Sequence, residues 1–126
     1  MRQHLNSKTW RDALEFIRTG NKDMPVSRKS LAKEFGSDRT ARRLVEEARR
    51  KGYGIISNRK GYFVTTNPRI MEKFVTDRMK KIESEIITLV EMSRKCGRVE
   101  YARDYIKYLM MAIEEEKYDD EDCDTY

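Results

Sequence analysis

Apolar residues Trp10, Ala13, Leu14 and Ile17 recur at i, i+3, i+4 and i+7, the spacing of one helical face. Thr9 followed by Asp12 frames a capping box, with Asp in place of the usual Glu, and Gly20 ends the helix. Phe16 lies off the stripe and is expected against the later hairpin or the long helix. Residues 21–25 read as a loop. Ser27 caps a second helix over about 28–35, with Leu31, Ala32 and Phe35 inward and Val26 packing at its entry. Gly36 supplies the positive backbone angle of a helix C-terminus. Ser37 or Asp38 then caps a third helix over about 39–51. So short a connection forces a sharp angle between the two helices.

The third helix buries Ala41, Leu44, Val45 and Ala48 and displays Arg39, Arg42, Arg43, Glu46, Arg49 and Arg50 opposite. Gly52 stops it. Ile55, Ile56 and Ser57, then Tyr62, Phe63 and Val64, read as short strands joined by Asn58-Arg59-Lys60-Gly61. A hairpin this small is marginal alone and must lean on the helices. Asn67-Pro68 starts a long helix running to about Cys96. Val75, Met79, Ile82, Ile86, Leu89, Ser93 and Cys96 form a heptad seam on it. Ile70, Phe74, Ile87 and Val90 lie partly off the seam. After Gly97, a last helix over about 98–117 carries Val99, Ala102, Ile106, Leu109 and Ile113, with Tyr101, Tyr105 and Tyr108 in a second row. The matching spacing allows two arrangements, a dimer seam through Val75, Met79, Ile82, Ile86, Leu89, Ile106, Leu109 and Ile113, or an intramolecular pair. Both hold if a helical hairpin pairs with its copy. The expected organisation is mostly α with a small β hairpin: residues 1–66, a helical hairpin or dimerisation region over 67–117, and a disordered acidic tail over 118–126.

Charge sharpens this picture. Of 126 residues, the first 60 hold 16 Lys and Arg against 7 Asp and Glu, while the remainder holds 11 against 15. The basic half suits a polyanionic partner. Arginine's flat fork can donate twice to the O6 and N7 edge of guanine, and any cation that neutralises a phosphate releases counterions. Arg39, Thr40, Arg42 and Arg43 lie near the start of the third helix, where base edges or flanking phosphates are in reach. Glu46 can accept from cytosine N4 or hold an arginine in place. Arg49, Arg50 and Lys51 fall late on the helix and suit the backbone. Arg59 and Lys60 occupy the hairpin tip, placed for a minor groove or a phosphate. Ser27, Arg28 and Lys29 open the second helix, whose amides can also hold a phosphate.

Residues 9–66 resemble the winged helix-turn-helix superfamily. The stretch SRKSLAKEFGSDRTARRLVEEARRKGYGIISNRKGYFVT is especially similar to small regulatory or replication-module proteins of phages and prophages of Gram-positive bacteria. The likeness extends into NPRIMEKFVTDRMKKIESEI. It implies sequence-specific binding of double-stranded DNA, with Arg39, Thr40, Arg42 and Arg43 as readers and Arg59 and Lys60 as wing contacts. The helix from Val99 onward and the acidic tail depart from that pattern. A two-fold dimer would set two third helices about 34–36 Å apart, or a multiple, over a palindromic site.

Other classes of function find little support. His4 is the single histidine, and no Ser-His or Cys-His pair can be assembled. Cys96 and Cys123 have neither metal nor redox spacing. The acidic tail lacks a calcium loop, no glycine-rich phosphate loop exists, and no apolar run approaches the roughly 20 residues of a membrane span. The expectation is a non-enzymatic protein of the bacterial host cytoplasm, without cofactor, metal or membrane, that binds double-stranded DNA as a homodimer. The alternative is an interaction module that engages a host or phage protein through its last helices. The DNA reading requires an outward cationic helix. Guanidinium groups tucked against the chain's own carboxylates, or sealed between subunits, would remove it.

Overall fold

A computed structural model describes residues 8–123, with side chains to residue 115; His4, the Cys123 thiol and the acidic side chains of the tail lie outside the described residues. The elements are α1 (Trp10–Ile17), α2 (Arg28–Phe35), α3 (Asp38–Arg50), β1 (Ile55–Asn58), β2 (Gly61–Val64), α4 (Pro68–Lys95) and α5 (Val99–Cys123). The chain is mostly helical, with one two-stranded antiparallel sheet among the described residues. It divides into two compact units, Met1–Thr76 and Asp77–Tyr126.

In the first unit, side-chain caps set the helix starts. Thr9 and Asp12 form the full capping box at α1. Ser27 accepts from the Ser30 amide, and Ser37 accepts from the Thr40 amide. Each satisfies an amide that the helix itself cannot. Only Gly36 and Ser37 separate α2 from α3, and Gly36 adopts φ 95°. Helix α1 ends at Ile17, earlier than the glycine at position 20 suggested.

The core gathers Leu14, Ile17, Val26, Leu31, Phe35, Leu44, Val45, Ile55 and Tyr62 from three helices and both strands. Fully burying each large apolar side chain contributes about 1.5–3 kcal/mol. Ala13, Ala41 and Ala48 are at most 1% exposed, and their small side chains let α1 and α3 approach closely. Ala32, expected inward, is only half-buried. Phe16 meets Phe35 of α2 edge-on at 6.0 Å, and packs against the core. Being just off the main stripe turns it toward the neighbouring helix.

The β1–β2 register pairs Ile55 with Val64 and Asn58 with Gly61. The loop before α2 adds a further rung: the Val26 amide donates to the Tyr62 carbonyl at 2.9 Å, and the Tyr62 amide donates to the Val26 carbonyl at 2.8 Å. The hairpin is thereby fastened on both sides, through β1 to α3 and through β2 to the entry of α2. Gly61, at φ 142°, packs against the Val26 carbonyl so closely that a Cβ there would overlap it.

The second unit consists of α4 from Asp77 onward and α5, joined through Gly97 at φ 72°. Its groove is lined by Ile86, Leu89 and Ser93 on one helix and Ala102, Ile106 and Leu109 on the other, as an antiparallel hairpin requires. Helix α5 runs to Cys123, past the expected end at 117.

Replacing Gly61 with Ala is expected to destabilise the first unit by about 1–3 kcal/mol, through strain at positive φ and the clash with Val26. Urea denaturation followed by Trp10 fluorescence measures it.

Candidate nucleic-acid interface

Helix α3 sorts its side chains sharply. Ala41, Leu44, Val45 and Ala48 are buried, while Arg39, Arg42, Arg43, Glu46 and Arg50 are exposed. The spacing of the buried set confines the arginines to the outer face. Arg39 takes no partner among the described residues and lies in the first turn.

Four neighbouring guanidinium groups rest against carboxylates of the same chain. Arg28 and Arg42 both reach Asp38 at 3.0 Å, Arg43 reaches Glu47 at 3.1 Å, and Arg50 reaches Glu46 at 3.6 Å. Guanidinium groups held against the chain's own carboxylates are the arrangement expected to tell against a DNA-reading helix, and Arg28, Arg42, Arg43 and Arg50 adopt it. Here the arginine side chains keep 59–79% of their surface exposed. Exposed i, i+4 pairs such as Arg43–Glu47 contribute only about 0.3–0.5 kcal/mol. A phosphate is a charged, two-pronged acceptor of the same kind as a carboxylate, so it can compete for these side chains. The pairs therefore hold the side chains in place without sequestering them.

Asp38 is the hub of this arrangement. The hydrogen bond from Arg28, with the positive charge of Arg28 and Arg42, holds its carboxyl below the ordinary carboxylate value. The same bond raises the Arg28 guanidinium further above its usual value, so it stays charged. The depressed group is the acid, so the contact persists above its ordinary value and is lost as pH falls through the depressed one. Asp38 thus ties the start of α2 to the start of α3 and draws Arg28 toward the start of α3.

Arg49 departs from the expected backbone-contacting role. It is half-buried; Nε donates to the Ile55 carbonyl at 2.9 Å and Nη2 donates to Ser57 Oγ at 3.3 Å. Its guanidinium also lies 5.3 Å from the centre of the Phe74 ring. One side chain therefore joins α3, β1 and the opening turns of α4. Ser27 is likewise occupied, capping α2 and meeting Ser30 Oγ at 3.0 Å. Thr40 Oγ1 accepts from Ser37 Oγ at 3.0 Å. Lys29 is exposed near the start of α2.

Arg59 and Lys60 project at the hairpin tip, where Asn58 Oδ1 accepts from the Lys60 and Gly61 amides and fixes the turn. They share an open notch with Lys22, Asp23 and Phe63. Lys22 was not among the expected site residues. Its sequence signal is weak: Asn21, whose Oδ1 accepts from the Asp23 and Met24 amides, marks a turn but not what that turn faces. The expected dimer-seam residues divide. Ile86, Leu89, Ile106 and Leu109 line the groove within the α4–α5 hairpin and Val75, Met79, Ile82 and Ile113 do not, and of all eight only Ile86 and Ile106 are half-buried.

Among the described residues, no cluster of His, Cys, Asp and Glu could hold a metal ion, and no helix is long and apolar enough to cross a membrane. No protein family, curated protein or solved structure matches the chain.

Arg49→Ala is expected to cost about 1–3 kcal/mol of stability, because it strips charged donors from partly buried acceptors. Arg43→Ala should stay within about 0.5 kcal/mol. Parallel urea denaturation of the two variants distinguishes the structural arginine from the surface one.

Proposed function

We propose that this chain is a sequence-specific double-stranded DNA-binding protein of the winged helix-turn-helix kind. It acts as a homodimer, in a phage-type transcriptional or replication role in the bacterial cytoplasm, and performs no catalysis. The observation that carries the reading is the outer face of α3. Arg39, Arg42 and Arg43 stand in solvent there, immediately after a two-residue connection from α2.

In this reading α3 enters the major groove and the β1–β2 hairpin is the wing. Arg39, Thr40, Arg42 and Arg43 face base edges. Arg28, Lys29, Arg50, Arg59 and Lys60 neutralise phosphates, with Glu46 steering Arg50. Arg49 keeps the wing in register with the reading helix. The first unit suits a polyanion: residues 8–76 hold seventeen Lys and Arg against eight Asp and Glu. A second reading, docking of a host or phage protein on the last two helices, draws support from the apolar side chains that α4 and α5 leave exposed.

Selection of bound sites from random duplexes, followed by anisotropy titration across a salt series, tests the proposal. Affinity should fall steeply with salt, with a log–log slope of about −0.9 per phosphate neutralised. Arg42→Ala or Arg43→Ala should cost about 1–3 kcal/mol and relax preference at one base pair. A salt-insensitive isotherm, or no duplex enriched over random DNA, contradicts the reading.

A further inference from the structure

The second unit has no buried residue among those described. Its groove is about 300 Å³, and the side chains lining it remain wet: Leu89 is 57% exposed, Tyr105 58% and Leu109 43%. Farther from the turn, Met79, Ile82 and Ile113 extend the same apolar stripe and are about half exposed. Two helices that meet along one stripe should dry that stripe. Here the stripe is left open along its length, so the hairpin is half of a packing arrangement.

The area is large enough to matter. A dozen large apolar side chains in this unit are about half exposed. At ~200 Å² for each whole side chain, the seven of them that line or extend the groove, from Met79 to Ile113, present on the order of 800 Å² of apolar surface, against ~800 Å² per partner in a stable interface. Monomeric proteins rarely leave apolar patches beyond ~300–600 Å².

We propose that a second copy of this chain covers the groove, the two hairpins closing face to face into a two-fold four-helix bundle. This gives the homodimer of the proposed function its interface, and it can fail separately from DNA binding. Three observations favour a copy over a foreign protein. Both helices carry the same alternating three- and four-residue spacing, so each stripe fits the other in a self-complementary contact. The whole second unit, residues 77–126, holds nine Lys and Arg against fourteen Asp and Glu, and the stretch 77–115 that carries the groove is balanced at eight against eight, so it is this stretch that two copies can bring together without net repulsion. The charges are also arranged for it. The groove runs from Ser93 and Ala102 near the turn to Ile86 and Leu109. Continuing that register sets Lys80 and Lys81 level with Glu115 and Glu114. When α4 and α5 alternate around a bundle, each basic end then lies between two acidic ones.

The test is the mass of the full chain by sedimentation equilibrium. The expected value is twice the chain's 15.1 kDa. Leu89→Asp and Leu109→Asp, singly and together, should return it to the single-chain mass while Trp10 fluorescence still reports a folded first unit. Tyr105→Glu, on the groove edge, should weaken association by at least tenfold and serves if the core variants misfold. A wild-type chain that sediments as a monomer overturns the proposal, as does a dimer unaffected by any of these changes. Anisotropy titration of the monomeric variant on a single half-site keeps the DNA reading separate: binding retained there leaves that reading intact.

Discussion

The close approach of α3 to α1 is the constraint on which the rest of the molecule depends. Ala41 and Ala48 on α3 face the core with almost no exposure, and Ala13 on α1 is fully buried in the same core. Interiors packed this densely have no room for an arginine on the inner face. The charged residues of α3 are forced outward by the same packing that holds the helix in place. Stability and presentation of the cationic face thus arise from one sequence pattern.

Polar contacts then refine what packing has placed. Asp38 gathers Arg28 and Arg42 from two helices, and Arg49 spans α3, β1 and the start of α4. The two sites differ in their surroundings. The Asp38 pairs are largely open to water, where such contacts contribute little. Arg49 is partly withdrawn from water, where losing a partner is more costly. Arginines on one helix therefore differ in setting: those at 42 and 43 are exposed, while the one at 49 is half-buried and joins three elements.

Much of this was legible in the sequence because its causes are local. Thr9, Ser27, Ser37 and Asn67 cap helices through amides two or three residues away, and Asn58 and Gly61 shape a turn by themselves. What stayed hidden depends on distant residues. Arg49 occupies a helix position that reads as solvent-facing, yet its partners are Ser57 and Phe74. Val26 pairs with Tyr62, and Lys22 reaches the hairpin tip, across loops whose course no short-range pattern reports. The stripes on α4 and α5 were readable as periodic, but the same spacing serves a partner helix within the chain or beyond it.

The outer face of α3 is proposed as a surface for duplex DNA. Titrating the isotopically labelled full chain with a selected duplex, and following backbone amides by NMR, is the decisive measurement. The largest shifts should fall on residues 39–43 and on the hairpin tip at 59–60. Shifts confined to residues 77–115, or an unperturbed α3, would contradict it.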